Sequence, residues 1–190
     1  MMNMKSGLPR TKKITYTAIL IALAVSLRLI KYALFGPMQF VNFPGIFTLI
    51  SGVLFGPVTG ITVGFASYVF SDILIGLPGP WTAVNSFFMA ILGLASGLIW
   101  SRKDKTKISK AGLGIGAYVL MFAFDITSSW LLLVTMGVEW FTALVIGLIG
   151  LFLPASGGFL IAVGPITEGT TAILTVMLVH ALVRGVKRVN

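Results

Sequence analysis

The sequence contains no cysteine and a single histidine, His180. Disulfides, zinc–thiolate sites, iron–sulfur clusters and cysteine nucleophiles are thereby excluded, and a histidine-based metal centre has too few ligands. Acids are nearly as scarce, with five Asp and Glu against 14 Lys and Arg. Charged residues make up only 10% of the chain, where a soluble domain carries about 25%. No G-x-x-x-x-G-K-[ST] run is present to cradle a nucleotide phosphate, so no ATP site is expected here. What the chain does have is apolar surface: 57% hydrophobic residues and a mean hydropathy of +1.01. A lipid bilayer takes about 20 such residues per crossing, so 190 residues suit a single membrane domain of about six spans.

The net charge of +9 points to topology rather than to nucleic acid. Twelve of the basic residues fall in three clusters: Lys5, Arg10, Lys12 and Lys13; Arg102 to Lys110; and Arg184, Lys187 and Arg188. Basic segments flanking apolar spans are retained in the cytoplasm. No aromatic residues interleave with them, so no nucleic-acid partner is expected. The first apolar stretch is longer than a signal-peptide core and lacks a small-residue cleavage site, so it is expected to be a retained helix.

Breakers divide the rest. Phe55-Gly56-Pro57 and Gly76-Leu77-Pro78-Gly79-Pro80 end helices, because proline lacks a donor and disfavours helix in the residue before it. Helices are expected at about 14–34, 44–55, 58–75, 81–100, 111–133 and 161–183. The apolar run at about 141–153 is too short to span and reads as an outer-face helical loop. Counting it as a span would put the basic tail outside, so six spans, with both termini cytoplasmic, satisfy all three clusters. The fold class is an all-α integral membrane protein.

Ionisable groups within spans cost several kcal/mol and mark candidate sites. At about 1.5 Å per residue, Arg28, Lys31, Asp72, Asn85, Asp125 and Glu168 all fall in the outer half of the bilayer. A proton relay would string such groups across the full thickness, whereas a pocket open to the outside gathers them at one depth. Asn42 in the outer connection, Trp81 and Trp130 complete the candidate substrate-binding set, since small-molecule pockets combine aromatic walls with a few polar groups. The plainer reading is that Arg28 and Lys31 snorkel to the headgroups, Asp72 pairs with Arg28, and the aromatics form an interfacial belt. Glycines 52, 56, 60 and 64 recur every fourth residue, a spacing that marks helix contact. Ala18-x-x-x-Ala22 lets another helix approach closely in the same way.

The sequence resembles the substrate-binding S components of energy-coupling factor (ECF) vitamin transporters. The resemblance is carried by Ala18-x-x-x-Ala22, by Pro44-Gly45-Ile46-Phe47 through Leu54-Phe55-Gly56-Pro57-Val58-Thr59-Gly60, by Phe124-Asp125-Ile126-Thr127, and by Pro165 to Glu168-Gly169 before the basic tail. It implies a six-helix bundle in the cell membrane that captures a water-soluble vitamin outside, with a leaning to riboflavin. It implies that a transmembrane coupling subunit docks on Ala18 and Ala22, and that two partner ATPase subunits use the ATP. No catalytic residue, metal or cofactor of its own is expected. A serine–histidine dyad of Ser96 and His180 is disfavoured, because the Gly-x-Ser-Gly spacing around Ser96 is wrong and no histidine on the second helix is there for an oxyanion. A stand-alone solute carrier or a membrane scaffold is the alternative function.

Overall fold

A computed structural model describes residues 9–153 and 163–189. Lys5, Pro154 and the expected start of the last helix at Ile161 lie outside the described residues. The order is α1 (Arg10–Phe35), α2 (Phe43–Phe55), α3 (Pro57–Ile75), α4 (Pro80–Trp100), α5 (Lys110–Thr135), α6 (Trp140–Gly150) and α7 (Val163–Val189), with one short 3-10 turn at Lys105–Lys107 between α4 and α5. The all-α expectation holds. The first helix begins four residues earlier than 14, at Arg10, because nothing in Arg10–Lys13 breaks a helix.

Five helices are long and apolar enough to cross a membrane: α1, α3, α4, α5 and α7. Helix α2 is short, 13 residues or about 20 Å. It is apolar all round because it has neighbours all round, packing against α1, α3, α4 and α7. Every residue from Pro44 to Val53 is buried. It ends where Gly56 turns at φ 101, a conformation that glycine adopts without strain, and Pro57 opens α3 at its first turn.

The closest helix approach is α3 on α4. A Cβ on Gly60 would strike the backbone of Gly93, and one on Gly93 would strike Gly60. Gly64 meets Met89 on the same seam, and Gly52 of α2 meets Ser96 of α4 beside it. The four-residue glycine row is thus the seat for α4, apart from Gly56, which serves the turn. Ser96 is buried and its hydroxyl donates to Gly93 O at 3.0 Å. His180 contacts Val176 O at 2.9 Å and Ile108 O at 3.1 Å, tying the connection after Lys105–Lys107 to α7. Both side chains are engaged by backbone carbonyls.

The loop between α1 and α2 is fastened to α7 by threonines. Thr167 donates to Gln39 O at 3.0 Å and Thr170 to Phe40 O at 2.5 Å, while Asn42 N donates to Thr171 Oγ1 at 3.0 Å. Three hydroxyls thereby satisfy backbone groups that no helix supplies. Helix α6 packs on α5, burying Ala143 and Gly147 and leaving Phe141 and Ile149 exposed. Its 11 residues span about 16 Å, too little to cross.

Candidate functional site

Two chambers open among the helix ends opposite the basic connection at Arg102–Lys110. The larger has a volume of about 330 Å³ and is walled by Asn42, Tyr68, Asn85, Phe124, Asp125 and Thr167, among others. The smaller, of about 150 Å³, is walled by Arg28, Lys31, Tyr32, Asp72 and Trp81. Gln39 faces both.

The smaller chamber is electrostatically furnished. Arg28 Nη2 pairs with Asp72 Oδ1 at 2.6 Å, and Arg28 also donates to Ser71 Oγ. The second Asp72 oxygen accepts from Thr82 Oγ1 at 2.7 Å. A buried ion pair holds only when its remaining lone pairs and protons are satisfied, and here Ser71 and Thr82 do so. Lys31 is 6% exposed and donates to Gln39 Oε1 at 2.5 Å. It therefore turns into the protein, contrary to the snorkelling reading. The Arg28 guanidinium stands 4.5 Å from the centre of the Tyr68 ring, a cation–π contact. Tyr68 also faces the larger chamber, so its ring and the Gln39 side chain form the partition.

The larger chamber is furnished with acceptors. Asp125 lines it from α5, and Asn85 from the first turns of α4. Glu168 adjoins Asp125 and Tyr118. It is wholly buried, and neither carboxylate oxygen makes a hydrogen bond of ordinary geometry. No Lys or Arg among the described residues lines this chamber.

The expected site residues therefore separate. Asn42, Asn85 and Asp125 come together on the larger chamber, and Arg28, Lys31, Asp72 and Trp81 on the smaller. Glu168 stands behind Asp125 and off both surfaces. Trp130 lines neither chamber, its Nε1 donating to Trp140 O at 2.9 Å, where α5 meets α6. Asn42 is committed locally: its Oδ1 caps α2 by accepting from Gly45 N at 2.9 Å, and its Nδ2 donates to Tyr68 Oη at 3.1 Å. Sequence reasoning missed Gln39, Tyr68 and Thr167. The threonines at 167, 170, 171 and 175 were the available signal, being hydroxyls on one helix at spacings of three and four.

A family model for the S component of ECF-type riboflavin transporters matches residues 9–184. The chain belongs to that family. No curated protein matches it. This S component is accordingly a multi-pass protein of the cell membrane, the substrate-binding subunit of an ECF uptake system for riboflavin. It is not an enzyme and has no cofactor of its own, ATP being used in partner subunits. The family fold has six membrane helices, which α2 completes beside the five long ones. The stand-alone carrier and scaffold alternatives fall away.

Proposed function

We propose that the larger chamber is the riboflavin site, entered from the outer side, and that the smaller chamber sets its polar flank. The observation that carries this reading is the cavity of about 330 Å³ in which Tyr68 and Phe124 offer aromatic surface beside Asn85, Asp125 and Thr167. Its volume lies at the lower end of the range of about 300–1,000 Å³ for small-molecule pockets. The flavin ring lies by Tyr68 and Phe124, and the ribityl chain runs toward Gln39 and Thr167, whose groups donate and accept as hydroxyls require. Arg28, Lys31 and Asp72 hold Gln39 and Tyr68 in place from behind. Trp81 closes the smaller chamber, Trp130 braces α5 against α6, and Asn42 fixes the entry to α2.

On the same reading, Ala18 and Ala22 are the docking face for the transmembrane coupling subunit, which brings two ATPase subunits. Both alanines are exposed and four residues apart on one side of α1, where small side chains admit a second helix.

Quenching of riboflavin fluorescence by the purified, detergent-solubilised protein tests the site. Saturable binding at one flavin per chain is expected, and Tyr68→Ala should weaken it by at least roughly tenfold, as loss of a ring contact and a hydrogen bond would. Unchanged affinity in that variant moves the flavin elsewhere. Ala22→Trp should bind riboflavin normally yet abolish uptake in cells; normal uptake removes the docking face.

A further inference from the structure

The carboxyls of Asp125 and Glu168 are the one pair of acids in the described protein that no cation answers. The Arg28 guanidinium lies against the Tyr68 ring and is matched to Asp72. The other groups around the pair bring no positive charge: Tyr118 approaches Glu168 with a phenol, and Asn85, Ser128 and Thr167 are neutral. Buried carboxyl groups without a cation are costly, and Glu168 has a second acid, Asp125, and the Tyr118 phenol for neighbours. Of the two, Asp125 lines the chamber and is the one ionisable acid among the described residues on its wall, so it is the acid that a donor entering the chamber can reach.

From this geometry, we propose that Asp125, with Glu168 behind it, is the polar-edge reader of the site and receives the ring N–H of the ligand. The proposal rests on the reading that riboflavin occupies the larger chamber. Hydroxyls of a ribityl chain both donate and accept, so they are served equally well by Gln39 and Thr167. A carboxyl group offers an acceptor oxygen whether or not it is ionised, and the isoalloxazine system of riboflavin has one N–H to give it, at N3 between two carbonyls. That edge therefore faces α5 and α7, and the ribityl chain points away toward Gln39. Asp125 makes the contact; Glu168 is a positioning residue that acts through Asp125.

The test compares riboflavin with its N3-methylated analogue, which keeps the ring and the chain but lacks the donor. A site built to bond an N–H rejects the analogue without it strongly, so the natural protein should bind the methylated ligand at least about 100-fold more weakly. In Asp125→Leu, riboflavin should lose about tenfold, as expected when a buried donor is left unpaired, and the gap between the two ligands should close to within about threefold. Asp125→Asn keeps an acceptor oxygen and should keep most of the gap, which guards against a leucine variant that misfolds. Glu168→Gln should narrow the gap without closing it. Equal binding of both ligands to the natural protein, or an undiminished gap in Asp125→Leu, overturns the proposal while leaving riboflavin in the chamber. Failure of the natural protein to bind riboflavin at all overturns the site reading as well.

Discussion

The two flanks of the outer cavity solve the problem of burying a carboxylate in opposite ways. On the α1–α3 flank, Asp72 is 3% exposed and has a guanidinium, while its second oxygen has a threonine hydroxyl. On the α5–α7 flank, Glu168 is completely buried and has no cation, its neighbours being a second acid, Asp125, and the Tyr118 phenol. Low dielectric amplifies both outcomes: a satisfied group is held rigidly, and an unsatisfied one costs its full desolvation. One flank is complete within the protein. On the function proposed above, the other leaves Asp125 to be answered by the ligand.

The largest effect should come from breaking the finished flank. Arg28→Met leaves Asp72 without its cation, a loss of about 3–5 kcal/mol for a buried pair with one partner removed. Thermal unfolding in detergent should show it, and the double variant Arg28→Met/Asp72→Leu should recover most of the loss, since an apolar pair of similar volume carries no such penalty. A double variant as unstable as the single one would show that the ion pair is needed for folding itself.

Next is the seam that supports both flanks from the inner side. Gly93→Val thrusts two methyl groups toward the Gly60 backbone, and overpacking of this kind costs about 1–3 kcal/mol. Backbone cannot rotate aside as a side chain can, so the upper end is expected. An unchanged melting temperature would mean that α3 and α4 stand further apart than the glycines allow.

Of opposite sign is Glu168→Gln. The amide cannot ionise, so it relieves the mutual repulsion of two adjacent buried acids, and the ligand-free protein should gain about 1 kcal/mol. The same change at the finished flank, Asp72→Asn, should destabilise. If both substitutions shift the melting temperature in the same direction, the contrast between the flanks is false.

Smallest is Glu139, exposed at the start of α6, where it accepts from Thr142 N at 2.7 Å. The Thr142 and Phe141 backbone N–H groups hold its carboxyl below the usual range. A depressed carboxyl stabilises above its unfolded pKa and loses that contribution as pH falls through the folded value. Glu139→Gln should therefore flatten the acid side of the α6 stability profile slightly, as read by hydrogen exchange of Thr142.

Asp125, Asn85 and Asp72 were legible as site candidates because a polar group within an apolar run has no cheap explanation. Gln39 was not, since it sits in a connection without periodicity, where polar residues are ordinary. Tyr68 was hidden for a different reason: a tyrosine in a membrane helix reads equally as a belt residue, and only the arrival of Arg28 on one face and Asn42 at its hydroxyl gives it a place. Trp130 and Asn42 carried the right residue types but are spent on local bonds, which spacing does not reveal.

By itself the sequence determined that this is a membrane bundle, which side faces the cytoplasm and where the helices break, because hydropathy, basic clusters and Gly-Pro pairs act locally and without reference to the rest of the chain. The tertiary structure alone decided that the outer polar residues divide into two chambers, and that Asp72 has a cation while Glu168 faces a second acid and a phenol. Those outcomes depend on helix rotation and on contacts such as Arg28 to Asp72, 44 positions apart (72 − 28). No local pattern carries that information.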